Sequence, residues 1–344
     1  MPERGPVADA PADDFLILPA AQVPHETLLD FYRDTLAPQC LENQWRWRYR
    51  TELPGHPFPL VMLAGGRAVG HAGGIPFQLR LGDRAYRATW FVDFAIRRDQ
   101  QRRGLGSRLT GAWMDASGVG VTFCNEDSMA VFARLGWTGS LDTHLHVFWI
   151  KPFDHPRAGK LPPAGRSALN TLAAPTLRTL RRRFQVAPPS LEAVDAMNVG
   201  DTEAGDEDIT APIRDASYWA WRVGASPDRD RYRFYRQRGV TLLLKLRDDR
   251  RSSIDVLWTS DTRDSAAEIV RGMIAGLTTW AMDEGYPCVR MYAPTLAFDR
   301  ALRALLPMVA RPRFAFYSAD PDTMRRLASG RWRWQLIDSD FEWI

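Results

Sequence analysis

The fold is decided by one stretch, Trp90 to Trp137, which reads WFVDFAIRRDQQRRGLGSRLTGAWMDASGVGVTFCNEDSMAVFARLGW. An apolar run, Trp90 to Ile96, feeds a basic turn that contains Gln101, Arg102, Arg103, Gly104, Leu105 and Gly106. An amphipathic segment follows, then a second apolar run from Val119 to Cys124, then a helical pattern ending at Gly136. The order is strand, turn, helix, strand, helix. A glycine-bearing turn lets backbone approach a ligand closely, and the helix after it begins with N–H groups that have no partner inside the helix. Together they make a cradle for a phosphate or pyrophosphate.

Upstream, the pattern is different. Leu16 to Leu18 reads as a short strand and His25 to Leu36 as a helix with Leu28, Leu29, Phe31, Tyr32 and Leu36 on its apolar face. The aromatic segment Leu41 to Tyr49 follows. Phe58 to Leu63 and Ala68 to Ile75 flank Gly65-Gly66, a hairpin signal. Phe77 to Leu81 reads as a further strand, turning at Gly82-Asp83 into Tyr86 to Ile96. Antiparallel strands first and a strand–helix–strand crossover afterwards predict a mixed α/β (α+β) sheet. A dinucleotide fold would carry Gly-x-Gly-x-x-Gly after its first strand, and here the turn comes late and lacks the third glycine. No Gly-Lys-Ser/Thr follows, so a nucleotide-hydrolase loop is excluded as well.

Bulk composition narrows the classes. A chain of 344 residues, 45% hydrophobic and 25% charged, is that of a globular protein with room for two domains. The net charge is +4 and lysine occurs only at Lys151, Lys160 and Lys245. The arginines alternate with acids and form no long stripe, which argues against nucleic acid as a partner. Cys40, Cys124 and Cys288 lie far apart with no Cys-x-x-Cys pair, so neither a zinc site nor a disulfide framework is expected. His144 and His146 share a strand face but lack a third clustered ligand, and no metal is expected. No secretion signal or membrane-length apolar run is visible, which gives a cytoplasmic reading.

The turn Gln101-Arg102-Arg103-Gly104-Leu105-Gly106 resembles the acyl-CoA pyrophosphate loop of the GNAT-type (GCN5-related) N-acetyltransferases. Val92 to Ile96 resembles the splayed strand before that loop, and Ser107 to Met114 the helix after it. Asn125, with Ala130 to Trp137, resembles the block that follows the next strand. The resemblance covers about residues 58 to 150. It implies that backbone atoms of Phe94, Ala95 and Ile96 align the pantetheine arm, and that Gln101 and the N–H groups from Arg102 to Ser107 hold the pyrophosphate. Asn125 and Phe132 complete the implied cofactor set. Where many members have a tyrosine that protonates the leaving thiolate, the matching residue is Phe132, which has no proton to give. Asp93 is the first candidate for general base, with a strand-end acid held by an arginine as the bland alternative. His71 is the second candidate. Trp45, Trp47 and Tyr49 read either as an acceptor-cleft wall or as an amphipathic anchor for the sheet.

Residues 151 to 166 (KPFDHPRAGKLPPAGR) read as a boundary, and Ser167 to Arg183 as a helix interrupted at Pro175. The expected organisation is a GNAT-like domain over 15–153, a linker with a connecting helix over 154–181, and a second copy over 182–344. The second copy is read from Ser217-Tyr218-Trp219-Ala220-Trp221-Arg222-Val223, which echoes Asn43 to Tyr49. Strands at Val240 to Leu246, Ile254 to Trp258, Cys288 to Tyr292, Phe314 to Tyr317 and Trp332 to Ile337 follow, with helices at Ala266 to Met282 and Thr295 to Leu306. At the place of the glycine turn stands Thr259 to Ser265, with two carboxylates and no glycine, so no acyl-CoA is expected there. The resemblance implies an acyl-CoA-dependent N-acyltransferase, with acetyl-CoA or another acyl-CoA as co-substrate, acting on a small-molecule amine or a protein amine; a monomer or homodimer is expected. The rival class is a noncatalytic acyl-CoA-binding or interaction protein that keeps the fold.

Overall fold

The computed structural model describes residues 15–36, 42–139, 141–154, 160–185, 187–194, 209–246 and 253–339. Cys40 and residues 340–344 lie outside them. The chain clusters into two compact units. The first comprises residues 1–76, 87–122 and 317–319; the second comprises 77–86, 123–316 and 320–344.

Strands β1 (Phe15–Pro19), β2 (Leu60–Ala64), β3 (Arg67–Leu81), β4 (Arg84–Ile96) and β5 (Val119–Cys124) lie side by side in that order; residues 77–86 around the β3–β4 turn and the last two residues of β5 cluster with the second unit, the rest with the first. Helices α1 (His25–Phe31), α2 (Glu42–Tyr49) and α3 (Leu105–Ala116) accompany them. Two expected strands, 68–75 and 77–81, are the single strand β3. Its Pro76 falls between Ala72, the last residue paired with β2, and Leu79, the first paired with β8 (Ile209–Pro212). A proline is tolerated where that edge has no ladder to interrupt. Glycines 70, 73 and 74 let side chains close onto β3: a Cβ on Gly73 would stand 2.8 Å from the Tyr49 ring, and one on Gly74 2.5 Å from the Phe58 ring. Fully buried Trp113 ties α3 to the sheet, its indole N–H donating to the Gly73 carbonyl at 2.9 Å.

The second unit contains α4 (Glu126–Arg134), β6 (Leu145–Trp149), α5 (Pro163–Arg182), β7 (Leu191–Ala193), β8 and α6 (Ala216–Trp219). It continues with β9 (Tyr232–Gln237), β10 (Val240–Lys245), β11 (Ile254–Thr259), α7 (Ala267–Glu284), β12 (Cys288–Tyr292) and α8 (Leu296–Arg303). The last elements are β13 (Met308–Ala310), β14 (Arg313–Ser318), α9 (Pro321–Ser329) and β15 (Arg331–Trp332). Its sheet runs β13-β6-β12-β11-β10-β9-β7. β6, which the sequence groups with the first domain, sits between β12 and β13 and is antiparallel to both. Residues 123–153 therefore cluster with the second unit. α5 runs through Pro175 without interruption, seated by buried Arg181, whose guanidinium donates to the Trp149 carbonyl at 2.7 Å. Burial pulls the Arg181 pKa down to about 10. Among the described residues no helix is long and apolar enough to cross a membrane.

The two sheets share an order: antiparallel strands, then a parallel pair joined through a helix. In the first unit β4 and β5 pair over Ala88–Trp90 and Val119–Val121, with α3 between them in sequence. In the second, β11 and β12 pair over Ile254–Val256 and Val289–Met291, with α7 between them. Beyond its three pairs β11 is occupied. The Gln335 side chain accepts from the Thr259 N–H at 2.6 Å and donates to the Thr259 carbonyl at 3.4 Å, so one amide stands in for a paired strand. Trp332 to Ile337, expected as a strand, is strand only at its start. A capping box between Gln335 and Asp338 turns it into a short 3-10 helix. Asp338 is locked by Arg214 at 2.5 and 2.8 Å and by the Tyr218 hydroxyl at 3.1 Å, while Arg222 donates to the Ile337 and Ser339 carbonyls. Replacing Gln335 with Ala leaves two buried backbone groups of Thr259 without their partner. The variant should lose about 1–3 kcal/mol of stability in urea denaturation; an unchanged midpoint would show that the amide contributes nothing.

Candidate active site

The first unit's cleft starts where β4 leaves β5. After Trp90 and Val121 the parallel register ends, while β4 continues to Ile96. The Thr122 hydroxyl still reaches the Phe91 carbonyl at 2.9 Å, and from there β4 offers backbone to the cleft. Asp93 lies in this stretch with φ of 50°, a left-handed conformation that puts a bulge into the strand. Non-glycine residues adopt it only under constraint, and the constraint is visible on both its side chain and its carbonyl.

The Asp93 carboxylate accepts from Arg48 Nη2 at 3.0 Å and from the Tyr49 hydroxyl at 2.5 Å, and Arg48 Nε stands 2.9 Å from Oδ2. The Asp93 carbonyl lies 2.7 Å from Nδ1 of His71. A carbonyl can only accept, so Nδ1 carries the proton and Nε2 is the acceptor. Nε2 in turn faces the Tyr32 hydroxyl at 3.0 Å, and that oxygen accepts from the Trp45 indole N–H at 2.5 Å. The chain of donors therefore runs Trp45 to Tyr32 to His71 to the bulge. Tyr32 opens a π-helical turn, Tyr32–Leu36, a local form found often at functional sites.

The glycine turn borders a cleft of about 930 Å³ lined by Phe94, Ala95, Ile96, Gln101, Arg102 and Gly104, among others. Gly104 caps α3 with φ of 74° and no side chain caps the helix start, so its first N–H groups remain available. The arginines divide by use. Arg97 pairs with Asp34 at 2.5 Å. Arg103 donates to Gln100 at 2.6 Å and lies over the Phe15 ring. Arg98 and Arg102 are exposed and have no ion pair among the described residues. The Gln101 amide is spent on the Ile96 carbonyl at 3.0 Å, which orders the turn and takes up one acceptor of the β4 edge.

The sequence-based candidates separate accordingly. Asp93, His71, Phe94, Ala95, Ile96, Gln101 and the turn from Arg102 to Ser107 fall in one unit around the bulge and cleft. Tyr49 and Trp47 are buried, and Tyr49 belongs to the Asp93 clamp; they are not an exposed wall. Trp45 is part-buried and serves the Tyr32 hydroxyl. Asn125 and Phe132 belong to the other unit. The Asn125 side chain caps α4 by accepting from Ser128 N at 2.8 Å, and buried Phe132 packs on Trp137 with centroids 4.8 Å apart. Arg48 and Tyr32 escaped the sequence reading. The Trp-x-Trp-Arg-Tyr spacing carried the signal for Arg48, since a cationic residue in an aromatic segment asks for a buried acid. His144 and His146 meet on Asp299 Oδ1 at 2.8 and 2.9 Å, with Arg303 on the same carboxylate. Among the described residues no cluster suits a metal ion.

A parallel pair that parts beside a bulge, opposite a glycine turn at a bare helix start, is the architecture of the GNAT class. Residues 23–137 match the acetyltransferase (GNAT) family model, and this part of the chain is a GNAT domain. A GCN5-related N-acetyltransferase from Kribbella flavida is similar in structure, with a TM-score of 0.56 and 14% identity over 88% of this chain and 71% of that one. A probable N-acyltransferase from Enterococcus faecalis has a TM-score of 0.55 and 8% identity, with the same coverage. The N-myristoyltransferase of Saccharomyces cerevisiae, solved with bound myristoyl-CoA and inhibitors, has a TM-score of 0.56 and 8% identity over 92% of this chain and 82% of that one. At these identities the likeness is one of fold. Among curated proteins none matches the sequence.

Burial pulls the His71 imidazole below its ordinary value near 6.5, only partly opposed by its bond to the Asp93 carbonyl. The unfolded chain therefore binds the extra proton first. Stability is full above about pH 6.5 and falls as the pH drops below it. Burial lowers His56 and His146 in the same direction. Thermal melts from about pH 7.5 to 5.5 should show a falling midpoint, and His71→Gln should flatten part of that fall. An identical slope in the variant would remove His71 from this role.

Proposed function

We propose that the chain is an acyl-CoA-dependent N-acyltransferase that passes acetyl from acetyl-CoA to an amine, with both reactants bound together. The observation that carries this reading is the open end of β4 beside the uncapped start of α3, in one cleft of about 930 Å³. The groups present suit the co-substrate: backbone of Phe94 and Ala95 for an extended arm, N–H groups of Arg102 to Ser107 for a pyrophosphate, and Arg98 and Arg102 for its charge. Acyl-CoA supplies an acyl group activated as a thioester. The chain's part is to hold donor and acceptor in reach and to receive a proton from the amine.

Asp93 is proposed as the proton acceptor. A carboxylate has about four lone-pair positions. Arg48 Nη2 and the Tyr49 hydroxyl occupy two of them, one on each oxygen, which leaves a position on Oδ1 for an amine or a bridging water. His71 has both nitrogens engaged inside the protein and is proposed as a positioning residue that holds the bulge carbonyl. Phe132 brings no proton, so water is proposed to protonate the departing thiolate. The acceptor is proposed to be a small-molecule amine. The second reading, a noncatalytic acyl-CoA binder, is favoured by Phe132 alone.

Calorimetric titration with acetyl-CoA should give saturable binding to wild type. In Gly104→Glu, where a side chain meets a left-handed backbone and an anion meets the pyrophosphate, affinity should fall by more than about tenfold. No binding by wild type would end the assignment. On a panel of amines, Asp93→Asn should lower kcat by about 10²-fold or more with little change in the KM for acetyl-CoA. Binding without turnover on any amine would instead establish the noncatalytic reading.

A further inference from the structure

The carboxylate at the bulge already has its counter-charge. Buried Arg48 donates from Nη2 to Asp93 Oδ1 at 3.0 Å, and the Tyr49 hydroxyl donates to Oδ2 at 2.5 Å. A buried guanidinium attracts its partner more strongly than one in water, so the two charges cancel locally. The two acids that line the first cleft are likewise matched. Asp34 pairs with buried Arg97 at 2.5 Å, and Asp99, next to Arg98 in the turn, lies 3.9 Å from Arg67. Each carboxylate of the cleft and of the bulge therefore faces an arginine. His71 at the bulge carbonyl is held below its ordinary value by burial and is neutral at neutral pH.

We propose that the acceptor is a weakly basic amine, uncharged at neutral pH, of which arylamines are the type, and not an alkylammonium such as a lysine side chain or a polyamine. This inference rests on the acyltransferase reading above and names the substrate class for it. The first reason is binding. An alkylammonium carries its full charge out of water, and that loss is recovered only where a carboxylate is there to meet it. Here Asp93 is matched by Arg48 and Asp34 by Arg97, so an ammonium would have to displace a guanidinium already in place. An uncharged amine needs only a hydrogen-bond acceptor, and the position left on Asp93 Oδ1 is one.

The second reason is the proton. Only an uncharged nitrogen can attack the thioester, so an alkylammonium must first give one up. Carboxylic acids lose their proton near pH 4 and alkylammonium ions near pH 10, so that transfer to a carboxylate is uphill by a factor of about 10⁶. Arylammonium ions are about as acidic as carboxylic acids, and an arylamine arrives as the free base. Its nitrogen bonds to the thioester carbon, the C–S bond breaks, and the thiolate takes a proton from water. Once bonded to carbon the nitrogen is strongly acidic, and a carboxylate is base enough for the proton it then loses. Asp93 receives that proton on Oδ1, directly or through a water, and returns it to solvent before the next cycle.

The test measures kcat/KM of the full chain with acetyl-CoA and a pair of amines of similar ring size, aniline and cyclohexylamine. At about pH 7 aniline should be preferred by about tenfold or more. The preference should narrow by about tenfold per pH unit up to about pH 9, following the free-base fraction of cyclohexylamine. Arg48→Gln, which leaves the Asp93 charge unmatched, should narrow it at neutral pH as well; the wild-type profile decides the matter on its own if that variant does not fold. A preference for cyclohexylamine at neutral pH, or a ratio that does not move with pH, would overturn the inference and leave the proposed function standing. So would turnover of other amines with none of aniline. Turnover of no amine at all would overturn both.

Discussion

A parallel ladder that stops after three residue pairs is the constraint on which both sheets depend. Backbone N–H and C=O groups beyond the last pair must find partners, because leaving them buried and unpaired is costly. The chain answers the same problem twice, differently. In the first sheet the free end of β4 borders a wide cleft and is bent by the left-handed Asp93. In the second, the end of β11 is satisfied internally by Gln335. An open ladder end is an invitation to an extended ligand, whereas a closed one is a structural joint.

The aromatic echo in the sequence has a physical counterpart in two of its arginines, Arg48 and Arg222. Arg48 and Tyr49 clamp the Asp93 carboxylate, and with His71 on its carbonyl they hold the strained bulge in place. Arg222 and Tyr218 hold the C-terminal segment, through the carbonyls of Ile337 and Ser339 and the carboxylate of Asp338. Similar residues thus stabilise an exposed bend in one unit and the segment that plugs the ladder in the other. A buried arginine left without its hydrogen-bond partners would be strongly destabilising, so each clamp has a stake in the position of its partner.

Features set by local backbone chemistry were legible in the sequence. Gly65-Gly66 makes the β2–β3 turn with φ of 55° and 78°, and Gly104 adopts the conformation that the start of α3 requires. Helix α7 and strand β12 follow their hydrophobic patterns. What depended on distant partners was not legible. β6 has the pattern of any buried strand, and only its pairing with β12 and β13 assigns it to the second sheet. The hairpin of β9 and β10 turns at Arg238-Gly239, with φ of 48° and 79°, but the Tyr-Arg-Phe-Tyr-Arg run of β9 hides its apolar face among arginines. Arg48 and Asp93 are 45 residues apart, and nothing local announces their bond.

Hydrogen–deuterium exchange of the full chain with and without acetyl-CoA tests the central contrast between an open and a closed ladder end. The account predicts slowed exchange at the amides of Phe94 to Ile96 and Arg102 to Ser107, with no change from Thr259 to Ser265. Unchanged exchange at the first set, or protection at the second, would contradict it.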